Sequence, residues 1–158
     1  MTTQISKIPQ ELVSALKKLA NEVPIEGLIL FGSQAQETRH LDSDVDILAV
    51  ASTFENKSPF ERLARVLSIW FEKTNLEAVC IAPSELSVSL LSPLFWEIYE
   101  GGVVIKPFPL LEIVLNTFQE LRRKGFLEKD ENTWKFSRPD LEAAQISMKS
   151  RLVRSERK

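Results

Sequence analysis

Two carboxylates two residues apart, Asp44 and Asp46, follow a Gly32-Ser33 pair after ten intervening residues. Asp44-Val45-Asp46 runs into the apolar Ile47–Val50, so the segment reads as a strand. Residues i and i+2 of a strand share a face, which would point both carboxylates the same way. Like charges side by side repel; a divalent cation removes the repulsion, and hard oxygen ligands suit Mg2+. Upstream, the short apolar run Leu28–Phe31 reads as a core strand that ends at Gly32-Ser33. Glycine permits a tight turn and close backbone approach by a ligand. A helical turn starting at Ser33 would offer backbone N–H groups to a phosphate. Glu77 is the only charge in the apolar run Leu76–Ala82, and reads either as an exposed strand end or as a ligand. The plain alternative for the whole constellation is a solvated acidic strand end after an ordinary turn.

Taken together, Gly32-Ser33, the ten-residue spacer and Asp44-Val45-Asp46 resemble the GS-x10-DxD signature of minimal nucleotidyltransferases in the DNA polymerase β-like superfamily. The resemblance implies transfer of NMP, often AMP from ATP, to an acceptor hydroxyl, with two Mg2+ ions taking part in turnover. It implies that Gly32 and Ser33 hold the triphosphate, and that Asp44 and Asp46 are catalytic and metal-binding. Leu76-Glu77-Ala78-Val79 fits the slot of the family's third carboxylate, which by that resemblance makes Glu77 a catalytic residue and third metal ligand that helps place the second metal and receives the proton of the attacking hydroxyl. Small stand-alone members often act as antitoxins that attach AMP to a tyrosine of a HEPN-type toxin. Others modify small molecules such as aminoglycosides. The string from Trp96 to Lys106 resembles the closing segment of the minimal domain, so the resemblance spans roughly Ile25–Lys106.

The chain departs from this family at the corner. The usual GSRARG is Gly32-Ser33-Gln34-Ala35-Gln36-Glu37 here, with both arginines replaced by glutamine and the last glycine by glutamate. Arginine is a bidentate phosphate partner and glutamine is not. Arg39 and His40 are the loop residues available to compensate, although His40 reads as an exposed loop residue. The altered corner motivates a second reading, a weak or inactive relative that neutralises or scaffolds a partner by contact alone.

The elements that must position these residues follow from periodicity. The expected fold class is α/β (α+β), a small mixed sheet flanked by helices with a polymerase β-like arrangement. Pro9 to Asn21 has helical spacing at Leu12, Leu16, Leu19 and Ala20. Strands are expected at Ile25–Phe31, Asp44–Ala51, Leu76–Ala82 and Val103–Ile105, with a polar linker from Thr53 to Lys57. Ser58-Pro59 opens a second helix, Ser58 as cap and Pro59 at the first position. Its expected core face carries Phe60, Leu63, Ala64, Leu67, Trp70 and Phe71. Short helices begin at Pro83 and Pro93, the latter stopped by Gly101-Gly102. Pro107 and Pro109 divide the chain into a nucleotidyltransferase unit, 1–106, and an extension, 107–158. The extension reads as a helix with Leu111, Val114, Leu115, Phe118 and Leu121, a hairpin around Asp130-Glu131-Asn132, and a final helix from Pro139.

With 158 residues, 44% hydrophobic and 27% charged, the composition is that of a globular protein of one domain plus an appendage. The formal net charge of −2 gives no general reason to bind nucleic acid. The basic tail, with Lys149, Arg151 and Arg154, reads as a solvated end ahead of a nucleic-acid arm. One cysteine, Cys80, excludes an internal disulfide and reads as a buried, inert thiol. No apolar run is long enough to cross a bilayer, and no secretory pattern opens the chain, so a cytoplasmic setting is expected. Self-association as a homo-oligomer remains open.

Overall fold

The computed structural model describes residues 5–36 and 43–156. The expected loop residues Glu37, Arg39, His40 and Asp42, and the tail's Arg157 and Lys158, lie outside the described residues.

A four-stranded mixed sheet forms the centre, in the order β3-β2-β1-β4. Its strands are β1 (Gly27–Phe31), β2 (Val45–Val50), β3 (Leu76–Ile81) and β4 (Val103–Lys106). β1 runs antiparallel to β2 and β4, while β2 and β3 are parallel. β1 and β2 are the inner strands and are apolar almost throughout, as burial on both faces requires. Their side chains alternate between two cores. Leu28, Leu30, Ile47 and Ala49 face Val13, Leu16 and Leu19 of helix α1 (Gln10–Glu22) and Val66 of helix α2 (Pro59–Ile69). Ile29, Leu48 and Val50 face Trp96 and Tyr99 of α3 (Pro93–Gly101), Val114 and Phe118 of α4 (Pro109–Arg123), and Leu141, Met148 and Leu152 of α5 (Arg138–Glu156).

The expected α/β class and the helix–hairpin–helix order of the extension are observed. β5 (Leu127–Asp130) and β6 (Thr133–Phe136) form the hairpin. It is held on α3 by Trp134, whose ring meets Trp96 edge-on at 5.6 Å and whose Nε1–H donates to Glu97 at 2.8 Å. Gly102 ends α3 where any Cβ would lie 2.5 Å from Ile29 Cγ2, so this close approach of backbone to β1 admits only glycine.

Three expectations need correction. The linker at Thr53–Lys57 is not wholly polar: a 3-10 turn at Ser52–Phe54 buries the Phe54 ring in the first core. Cys80 is half-buried rather than fully enclosed, although burial still pushes its thiol up to about 11. The largest correction concerns α2. Its buried residues are Arg62 and Val66, whereas Phe60 is 79% exposed, Phe71 82% and Leu67 43%. Arg62 explains the rotation. Its guanidinium reaches inward to Glu85 Oε1 (2.6 Å) and Oε2 (3.3 Å) and to the Cys80 carbonyl (3.1 Å), while Nε donates to the Lys57 carbonyl at 3.0 Å. A buried charge with so many satisfied donors fixes the inward face. Phe60 and Leu67 lie roughly opposite Arg62 on the helix and are therefore turned outward.

Candidate active site

The polar end of the sheet is built where β1 finishes and β2 and β3 begin. Register places Phe31 opposite Asp46, and Asp46 opposite Glu77. Period-two alternation puts Asp46 on the same face as Leu48 and Val50, and Glu77 on the same face as Val79 and Ile81. The two carboxyl groups thus meet side by side on neighbouring parallel strands. Partial burial first, then the adjoining Glu77 carboxyl and the charge of Asp44, push the Asp46 carboxyl from 3.8 up to about 6. Surplus negative charge is therefore concentrated here.

Gly32 follows β1 directly and sits at φ 73°, ψ −157°, a backbone conformation that L side chains rarely adopt. A Cβ at this position would lie 2.3 Å from Asp46 Oδ2. The glycine is needed twice, for the turn and for the carboxylate that lies against its Cα. Ser33 then opens the anticipated helical turn, a 3-10 turn over Ser33–Ala35 closed by Ala35 N–H to the Gly32 carbonyl at 3.1 Å.

Gln34 does not occupy the outward position that a phosphate-binding arginine would need. Only 4% exposed, it donates from Nε2 to the Ser43 carbonyl at 2.9 Å, tying the start of the loop to its return beside Asp44. The sequence signal for this role is a neutral donor directly after Gly-Ser, where the family's pattern has arginine. A cavity of about 200 Å3 adjoins Gln34, lined by Leu12, Val45 and Trp70. Val45 belongs to the first core, so this cavity opens on the sheet face opposite Asp46 and Glu77.

The structure thus brings Gly32, Asp46 and Glu77 together. Asp44 precedes Val45, the first paired residue of β2, and acts on Asp46 through its charge. Among the described residues, no set of three His, Cys, Asp or Glu side chains is gathered closely enough to hold a metal ion. The donors that are present suit one nonetheless. They are hard oxygens, the charges of Glu77 and Asp44 crowd Asp46, and Gly32 brings no side chain against Asp46 Oδ2. No helix among the described residues is long and apolar enough to cross a membrane.

A crystal structure from Sulfolobus solfataricus, described as a "putative nucleotidyltransferase", is 22% identical over 54% of this chain and 78% of its own, with a TM-score of 0.40. No curated protein matches the chain. The nucleotidyltransferase domain family matches residues 10–124, a span that runs from α1 through α4 and contains the Gly-Ser corner and all three acids. The chain therefore belongs to the nucleotidyltransferase domain family.

Proposed function

We propose that the protein is a Mg2+-dependent nucleotidyltransferase that moves NMP, with AMP from ATP the first donor to test, to an acceptor hydroxyl. The observation that carries this reading is the pair Asp46 and Glu77, set opposite each other on neighbouring strands with Asp46 against Gly32 at one end of the sheet. Asp44, Asp46 and Glu77 would hold divalent metal, which when bound supplies positive charge to offset the triphosphate and the pyrophosphate leaving group. Gly32 and Ser33 would receive the triphosphate, with the glycine giving its oxygens close access to the backbone. Glu77 is exposed and stands opposite Asp46, where its carboxylate oxygen can take a proton from an incoming hydroxyl. Residues 1–106 would form the catalytic unit, with 107–158 covering the sheet face that carries the acids. A protein hydroxyl, such as a tyrosine of a HEPN-type toxin, is the preferred acceptor, on family resemblance alone. A cytoplasmic setting, where nucleoside triphosphates are abundant, belongs to the same proposal.

One observation favours a second reading, in which the protein acts by contact without turnover. Gln34 is withdrawn into the loop closure and leaves the triphosphate without the arginine that family members place there. Thermal melts with each NTP and Mg2+ separate the two readings. Nucleotide transfer predicts a Mg2+-dependent rise with at least one NTP, absent in Asp44→Asn/Asp46→Asn. Contact alone predicts no rise in either protein.

A further inference from the structure

Asp46 and Glu77 are held by the sheet itself, because each lies within a paired strand. Asp44 is not, since it precedes Val45, the first paired residue of β2. Two hydrogen bonds outside the paired strands bracket it instead. On one side the Val45 N–H donates to the Asn75 carbonyl at 2.9 Å, just ahead of β3. On the other, Gln34 Nε2 donates to the Ser43 carbonyl at 2.9 Å, nine residues further on. Gln34 reaches out from a firm base. It is the middle residue of the 3-10 turn over Ser33–Ala35. The Ala35 N–H closes that turn onto the Gly32 carbonyl at 3.1 Å, and the Gln36 N–H closes it onto the Ser33 carbonyl at 3.2 Å. Its side chain is almost fully buried, and a hydrogen bond made away from bulk water is the stronger for it. The cavity lined by Leu12, Val45 and Trp70 adjoins the same side chain, so close packing does not set its direction on that flank.

We propose that Gln34 is a positioning residue for Asp44. It holds the Asp44 backbone in fixed relation to the Gly-Ser corner, as Asn75 holds it to the start of β3, and so sets the affinity of the acids for a divalent cation. This inference rests on the metal-binding reading of those acids given above. The chemistry of glutamine suits the task. Its amide is a neutral donor, so it orders the backbone beside Asp44 without offsetting the carboxylate's charge. An arginine making the same bond would place a full positive charge one residue from Asp44 and oppose a metal ion there. The altered corner thus replaces a phosphate partner with a support for the metal site, which accounts for a departure that otherwise reads as decay. Groups that orient a metal ligand without touching the metal commonly govern affinity by about 10- to 100-fold.

Uptake of Mn2+ alone by the full chain, followed through loss of the free-ion EPR signal, tests this without nucleotide or turnover. Gln34→Met keeps the length of the side chain and removes the donor. It should melt cooperatively and raise the half-saturating Mn2+ concentration about tenfold. Gln34→Glu keeps the shape and, ionised at about pH 8, also lacks the donor. It should weaken Mn2+ binding too, whereas a residue acting through charge alone would strengthen it. If Gln34→Met does not fold, Gln34→Glu carries the test by itself. Leu12→Ala, on the wall of the same cavity, should lower the melting temperature and leave Mn2+ affinity unchanged, which separates positioning from general loosening. Unchanged Mn2+ affinity in either folded Gln34 variant, or tighter binding by Gln34→Glu, would overturn the proposal. So would an equal loss of affinity in Leu12→Ala. A wild type that takes up no Mn2+ would refute the metal-dependent transferase reading itself, and this inference with it.

Discussion

Replacing Asp46 with asparagine should make the metal-free protein more stable at neutral pH, although it removes a residue of the proposed catalytic site. The folded-state carboxyl titrates near 6 against 3.8 for an unperturbed one. An acid whose folded value is raised stabilises the fold only while it keeps its proton. That contribution is complete below pH 3.8 and is lost as pH rises through about 6. Two pH units correspond to about 3 kcal/mol if fully expressed. Asp46 is only half-buried, and solvent screening reduces the effect to about 1 kcal/mol. Asparagine keeps the shape and carries no charge. In EDTA at pH 7.5, Asp46→Asn should therefore melt about 3 °C above the wild type, with the gap closing as pH falls toward 4. Saturating Mg2+ should reverse the order, because the metal stabilises only the protein that can bind it. A variant less stable than wild type at pH 7.5 in EDTA would refute the reasoning, as would a gap that does not change with pH.

Gly32→Ala should destabilise by about 1–3 kcal/mol, because its φ is unfavourable for a side chain and its new Cβ would collide with the Asp46 carboxylate. Urea melts measure the loss, and nucleotide binding should fall with it. Arg62→Met should cost about 2–4 kcal/mol by leaving Glu85 and two carbonyls without their donor. Burial pushes Glu85 up, but the hydrogen bonds from Arg62 and the Ala82 N–H, with the guanidinium charge, together hold it below its ordinary 4.5. The stability from this pair is present above pH 4.5 and lost as pH falls through the lower folded value, and the acid limb of the wild-type profile should flatten in Arg62→Met. Cys80, pushed up to about 11, should react with a thiol reagent at pH 8 far more slowly in the native protein than in urea.

The sheet and its chemistry were legible because their signals are local. Glycine ends a short apolar run, acids two apart share a face, and Glu77 stands alone in its strand. The parallel register that sets Glu77 opposite Asp46 is tertiary, yet a helix between two apolar strands already suggests such a crossover. What periodicity cannot state is which face of an amphipathic helix turns inward. In α2 it grouped Phe60, Ala64 and Leu67 correctly but assigned them to the core. The long-range partner of Arg62, Glu85 beyond β3, decides that orientation. Gln34 was opaque for a similar reason: its partner is a carbonyl nine residues away across a loop, and nothing local announces that contact.

The central claim, that these carboxylates transfer a nucleotidyl group, is tested most directly by following the phosphorus. The protein would be incubated with Mg2+ and a cell extract as the source of acceptors, using ATP labelled in parallel at the α- and the γ-phosphate. The account predicts an acceptor labelled from the α-phosphate and not from the γ-phosphate, with pyrophosphate released, and no label with Asp44→Asn/Asp46→Asn. Labelling from the γ-phosphate, labelling undiminished in the variant, or none with any of the four nucleoside triphosphates would contradict it.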